Sequence, residues 1–563
     1  MMKRLVLAGL AGLVPGLLTA QGPKQPAAEY VPAPATTLPL KHAPRPTEAA
    51  ITPGDLMTRL YIFADDSMMG RRAGTEGNTR GTDYIAREVK RLGLTPAGED
   101  GTFFQTLPFK TRSVDSSSSL SVGGAALAYG TEWAGRADAS AKLADLPVLF
   151  GGPVDDPGVS ADQMRGKLVV FTMQGNGGFR AVRALMRQGS SAAAVGVVVP
   201  PPFLGFFHRP STFVDAPDAG TPHPDTPILF LTAEAAGKLF AGSPDGLAPG
   251  ATGATASLDL IVHLEPVPYP ARNVVAILPG SDPKLRSEYV AIGAHNDHIG
   301  MTQRPVDHDS LRLYNHLVRP GGAEDSRAQA TPEQQQEINR QLAAWRAAHP
   351  GTEREDSISN GADDDGSGSV SVLEMAEHLA SLKTAPRRSI LFVWHVGEEL
   401  GMLGSGYFTD HPTVPRDSIV AQLNIDMIGR GDAADIEGGG PNYLQLIGSR
   451  RLSTELGDLV ESVNTSGKHG FAFDYQYDAD GHPQQYYCRS DHYEYARFGI
   501  PIVFFSTGSH PDYHMLTDEP QYIDYDHMAR VAGLIEDIAL HVADLDHRVV
   551  VDHPKPDPNG ICR

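Results

Sequence analysis

Five short runs of almost purely apolar residues, Asn273 to Leu278, Tyr289 to Gly293, Ile390 to Val396, Ile419 to Ile425 and Ile500 to Phe505, alternate with stretches of helical periodicity in the second half of the chain. A strand buried on one face alternates apolar with polar residues, whereas a strand buried on both faces reads as a continuous apolar run. The succession therefore predicts an α/β fold: a mostly parallel, doubly wound mixed sheet with helices on both faces. The 59 glycines and 44 prolines among 563 residues exclude a helical bundle, coiled coil or helical repeat. A composition of 41% hydrophobic and 20% charged residues excludes disorder for the bulk of the chain.

The residues that follow these runs carry the chemistry. Tyr289 to Gly293 leads into Ala294-His295-Asn296-Asp297-His298, Ile390 to Val396 into Gly397-Glu398-Glu399, and Ile419 to Ile425 into Asp426. Ile500 to Phe505 leads through His510 to Tyr513-His514. In open α/β sheets the carboxyl edge of the strands is where sites are built. One carboxylate after one strand is most often a loop residue or a helix cap. Four such strand ends, together with the acidic turn Asp363-Asp364-Asp365-Gly366 before an apolar helix, point to a shared site.

Histidines and carboxylates without thiolates suit zinc in a hydrolytic centre, with manganese or cobalt as substitutes, while the imidazoles disfavour calcium. The chain has no H-E-x-x-H helix and no G-x-S-x-G elbow, so a serine mechanism has no visible nucleophile. The net charge of −21 repels phosphate backbones and excludes nucleic acid as an expected partner.

The start of the chain, Lys3-Arg4 followed by an apolar stretch from Leu5 to Ala20, reads as a cleaved signal peptide over 1–20. No other stretch is apolar enough for a membrane span, which makes the expected location secreted or periplasmic. Residues 21–47 are rich in Pro and Ala and read as a disordered linker. The two cysteines, Cys488 and Cys562, either form one bridge or remain two thiols. Between 116 and 262 the texture changes to short β-like runs divided by Gly and Pro, which marks a separate module. Residues 301–359, holding one clear helix that starts at Thr331-Pro332, read as a lid-like insertion or a surface elaboration.

Two resemblances add to this reading. The strand Gly166 to Phe171, a helix through Phe179 to Gln188 and the strand Ala194 to Val199 resemble the protease-associated domain, which makes 116–262 an inserted β-rich unit. The strand-end motifs resemble the co-catalytic dizinc aminopeptidases, a family that includes bacterial leucyl aminopeptidases, aminopeptidase Y and plasma glutamate carboxypeptidase. The resemblance implies a zinc peptidase catalytic domain over 48–115 and 263–548, followed by a tail over 549–563. It implies His295, Asp364, Glu399, Asp426 and His514 as ligands of two zinc ions per chain. One ion takes His295 and Asp426, the other Glu399 and His514, and Asp364 bridges them.

By the same resemblance Glu398 is the general base acting on dizinc-activated water, Tyr513 an oxyanion donor, and Asp297 the carboxylate that orients His295. His298, His395 and the stretch Ser490-Asp491-His492-Tyr493 are assigned to packing or support. The implied activity is an exported aminopeptidase acting on peptides. The alternatives are a carboxypeptidase or dipeptidase of the same family, a non-catalytic binding ectodomain, and a single-zinc glutaminyl cyclase. Oligomeric state is not readable from these residues.

Overall fold

The five apolar runs form the centre of a nine-stranded mixed sheet in the computed structural model of the chain. The model describes residues 38–173, 182, 190–215, 226–325, 328–351, 353–436, 438–558, 560 and 562. The strands are β1 (Ala271–Leu278), β2 (Tyr289–His295), β3 (Ser389–His395), β4 (Ile419–Ile425), β5 (Tyr443–Ile447) and β6 (Ile502–Ser506). Across the sheet they lie in the order β1, β3, β2, β4, β6, β5, with short strands at both edges. The pairs β3–β2, β2–β4 and β4–β6 are parallel, and β1 and β5 close this block antiparallel.

Alternate residues of each central strand feed opposite cores, which is why the runs are apolar throughout. Val274, Ile292, Phe392 and Leu423 pack on one face against α1 (Pro53–Phe63), α2 (Glu76–Arg91), α5 (Gly368–Ser381) and α6 (Tyr525–Asp544). Val275, Ala291, Leu391 and Val393 pack on the other, against Phe408, Tyr493 and Tyr495 of two shorter helices. The chain leaves β2 for β3 on one side and then returns to β4 on the other, so the strand order reverses at β2. The four parallel carboxyl ends sit side by side around that reversal, where such sheets leave a crevice.

Three features depart from the sequence reading. β5 is fully buried yet carries Gln445 and is not among the five apolar runs, because its burial comes from neighbours distant in sequence. Residues 38–47, expected in the linker, dock on α1 and α5. Leu38 packs on the core, Thr47 donates to Glu377, and Tyr61 donates to the Pro39 carbonyl. These are single polar contacts without periodicity, so they leave no pattern to read. The 301–359 segment holds two helices, α3 (His308–Val318) and α4 (Pro332–Ala348), over a paired ribbon of Gly300–Asp307 and Glu355–Ser359. α4 starts with the expected capping box at Thr331 and Gln334. The expected signal peptide and the helix Phe179 to Gln188 lie outside the described residues, apart from Val182.

Residues between 116 and 262 build two sheets of five and four strands, with apolar cores drawn almost wholly from that segment. Leu168–Thr172 and Ala194–Val198 are adjacent parallel strands there, as a strand, crossover, strand unit requires. The chain enters and leaves through the antiparallel pair Phe109–Val114 and Val262–Pro266. A unit with its own core and a paired neck should be removable. Joining residue 115 to 262 through a short linker is expected to give a folded protein that binds as many divalent ions as the whole chain. Elemental analysis after dialysis checks this, and a folded product without metal would contradict it.

Among the described residues no helix is long and apolar enough to cross a membrane. Cys488 and Cys562 form a disulfide that ties the end of the chain to the Tyr486–Cys488 turn.

Candidate metal centre

β2 delivers His295 from its last position, and the ring enters the crevice with Nε2 3.1 Å from Asp364 Oδ1 and 3.6 Å from Asp426 Oδ1. On the other side His514 Nε2 lies 2.9 Å from Asp364 Oδ2 and 2.9 Å from Glu399 Oε2. The Asp364 carboxylate thus stands between two pairs, His295 with Asp426 and Glu399 with His514. The structure brings together all five residues singled out by the motifs, and Glu398 and Tyr513 line the same small pocket, about 50 Å³ in volume.

The charges in this cluster depend on one another. Burial pushes the Asp364 carboxyl up, but His295 and His514 outweigh it and hold it well below the usual carboxylate range. Burial works against the His295 and His514 cations, yet the facing carboxylates raise both well above an ordinary imidazole. Glu399 is held down to about 2: burial and Asp364 raise it, and His514 and His298 prevail. Glu398 behaves oppositely. Burial, with Asp426, Glu399 and Asp491 nearby, pushes it well above the usual range despite His295.

A metal fits the donors better than hydrogen bonding does. His295 Nε2, Asp364 Oδ2, Glu399 Oε1 and Asp426 Oδ1 are buried and make no hydrogen bond, although each lies within 4 Å of an oppositely charged partner. Buried polar atoms left unpaired in this way are costly unless an ion satisfies them.

Residues 273–539 match the model of Peptidase family M28. This stretch, just under half of the chain, is similar to that family. Leupeptin-inactivating enzyme 1 of Streptomyces exfoliatus is 40% identical over 77 residues, 13% of this chain and 18% of that protein. A probable leucine aminopeptidase of Arthroderma otae is 30% identical over 192 residues, 32% of this chain and 48% of that one. The chain therefore spans less than half the length of these curated relatives. Among solved structures, an aminopeptidase from Aneurinibacillus sp. strain AM-1 aligns over 90% of this chain and 97% of its own, at 16% identity and a TM-score of 0.49.

Within the M28 region the three consecutive aspartates separate by what their neighbours offer. Asp363 turns away from the pocket, where Oδ1 accepts the Gly429 N–H at 2.6 Å and Oδ2 lies 3.1 Å from His510. Asp365 accepts the backbone N–H groups of His295, Gly368 and Met427. It therefore fastens the end of β2, the start of α5 and the turn after Asp426 to one another, and does not line the pocket. The Asp518 carboxylate accepts the N–H groups of Asp363 and Asp364 and fixes the turn between them.

Asp297 stands beside His295 and also serves the loop of Glu398. Its Oδ1 accepts the N–H groups of Gly397 and Glu398 at 2.7 and 3.2 Å, and lies 3.7 Å from His295 Nδ1. The nearer partner of that nitrogen is the main-chain carbonyl of Asp297, at 3.1 Å. The carboxylate thus binds the loop of Glu398 more closely than the ring of His295.

Two residues assigned to support meet proposed ligands, and a third residue of the region went unread. Ser490, assigned to support, donates from Oγ to Asp426 Oδ2 at 2.7 Å. His298 Nδ1 lies 2.7 Å from Glu399 Oε1, close enough to orient it. Arg489 lines the pocket, and its Nη2 is 3.5 Å from the Tyr513 hydroxyl. The only signal for Arg489 was its place beside the Ser490-Asp491-His492 stretch. His395 is a packing residue, with Nε2 3.1 Å from the Tyr495 hydroxyl and burial holding it down to about 3.

Proposed function

We propose that the chain is an exported zinc-dependent exopeptidase, and specifically an aminopeptidase that releases N-terminal residues from peptides. The observation that carries the reading is the Asp364 carboxylate set between His295 with Asp426 and Glu399 with His514. Four histidine and carboxylate side chains around one shared carboxylate, five in all, exceed what a single tetrahedral zinc uses. They suit two ions, one held by His295 and Asp426, the other by Glu399 and His514, with Asp364 common to both. Zinc held there would supply Lewis-acid chemistry, polarising a scissile carbonyl and lowering the pKa of water toward neutral.

The chain's own groups do the rest. Glu398 faces the pocket beside Asp364 and Asp426. Its raised proton affinity suits a base that takes a proton from the attacking water and returns it to the leaving amine. Burial and the neighbouring carboxylates keep the Tyr513 phenol protonated, so its hydroxyl is able to donate to the developing oxyanion. The Cys488–Cys562 bridge supports an oxidising compartment, and with it export. The segment 116–262 is read as a protease-associated domain that tunes access to the site without supplying ligands.

The test is a panel of peptides with free or blocked termini, assayed with and without a chelator. Cleavage that needs a free N-terminus, tolerates an amidated C-terminus and stops with the chelator is expected. A requirement for a free C-terminus would instead identify a carboxypeptidase. Closure of an N-terminal glutamine to a pyroglutamyl residue with loss of ammonia and no peptide bond broken, with one zinc per chain, would identify a cyclase.

A further inference from the structure

The segment from Gly300 to Ser359 does not arch over the pocket as a free lid would. It is fastened to the loop 510–519, which carries Tyr513 and His514. Helix α3 turns Arg312 and His316 toward the buried Asp512, at 3.8 and 3.7 Å from Oδ2. Its Asn315 donates to Thr517 Oγ1 at 3.3 Å, and that hydroxyl donates to Asp512 Oδ1 at 2.6 Å.

Beyond α3 the backbone itself meets the loop. The Ala323 N–H donates to the Tyr513 carbonyl at 3.0 Å. Gly322 adopts φ +58°, and a Cβ there would stand 2.6 Å from the Tyr513 carbonyl oxygen and 2.7 Å from that of His510. Glu324 pairs with Arg489, itself near the Tyr513 hydroxyl. At the base of the segment His308 and Arg354 both hold Glu519.

His514 has reason to need such support. Its backbone lies at φ +56°, the left-handed region that a non-glycine residue keeps only when its surroundings impose it. In that conformation the ring reaches Asp364 and Glu399. His295 and Asp426, by contrast, issue directly from β2 and β4, whose geometry the sheet sets.

We infer that the 300–359 segment is a clamp on the metal centre, in which Gly322, Arg312 and His316 are positioning residues that hold the 510–519 loop with His514 facing Asp364 and Glu399. The inference rests on the reading of His514 as a metal ligand. Loosening the clamp is then expected to weaken one of the two ions and spare the other.

The experiment measures zinc affinity at both positions by chelator competition, with cobalt spectra of the substituted protein, in His514→Ala, Gly322→Ala and the double variant Arg312→Ala with His316→Ala. The clamp variants are expected to weaken one ion about 10- to 100-fold, the scale seen when a ligand loses its supporting partner. They should weaken the same ion that His514→Ala loses, and leave the other at wild-type affinity. Added zinc should restore kcat without changing KM, and Arg312→Lys with His316 intact should retain both ions.

Folded clamp variants with wild-type affinity at both positions, or with both weakened equally, would overturn the inference and leave the ligand assignment standing. Two ions retained in His514→Ala would overturn the ligand assignment itself. If the double variant does not fold, the single variant His316→Gln decides by the same measurement.

Discussion

Glu398→Ala should keep its metal content near wild type and lose turnover by about 10²- to 10⁴-fold, the usual scale for removing a general acid or base. Adjacent residues leaving a strand point in different directions, and here the two glutamates have parted company. Glu399 places its carboxylate oxygens 2.7 Å from His298 and 2.9 Å from His514, while Glu398 lines the pocket. Glu399→Ala is therefore expected to lose metal and activity together. Elemental analysis paired with steady-state kinetics on both variants separates the roles. Normal turnover with full metal in Glu398→Ala would end the proposed mechanism. Loss of metal there, with retention in Glu399→Ala, would exchange the two residues.

The second large effect belongs to Asp364. It is the only described residue whose carboxylate stands within 3.1 Å of both His295 and His514, so its removal strikes both positions at once. Asp364→Ala should lose most of both ions and reduce turnover by more than about 10⁴-fold, beyond the loss from the base alone. Zinc content after dialysis reads this directly. One ion retained at full occupancy would mean that the two positions do not share Asp364. A single ion in the wild type would favour the cyclase-like alternative.

Much of the sheet was legible because its signal is local. β2, β3 and β4 begin and end within two residues of the apolar runs, since burial on both faces demands an unbroken apolar stretch. The strand-end residues were legible for the same reason, because a run that stops at a histidine or carboxylate announces the edge of the sheet. β5 and the docking of residues 38–47 were not, because their burial comes from neighbours distant in sequence. Arg489 was passed over, and the partner of Ser490 could not be named, because a loop residue's partner is invisible until the fold supplies it. Ser490 is 64 residues from Asp426 along the chain and 2.7 Å from it in space.

What the sequence by itself determined is therefore the five central strands, the doubly wound sheet and the set of acidic and histidine residues along its carboxyl edge. Apolar periodicity and the positions where it breaks specify these without reference to anything far away. Only the tertiary structure decided which member of Asp363-Asp364-Asp365 faces the pocket. Asp363 is drawn off by the Gly429 N–H and His510, and Asp365 by three backbone N–H groups, while Asp518 pins the turn between them. It also decided that the 300–359 segment grips the His514 loop. Both outcomes depend on hydrogen-bond donors and charges brought from remote parts of the chain, and a buried carboxylate turns toward whichever of these the fold places within reach.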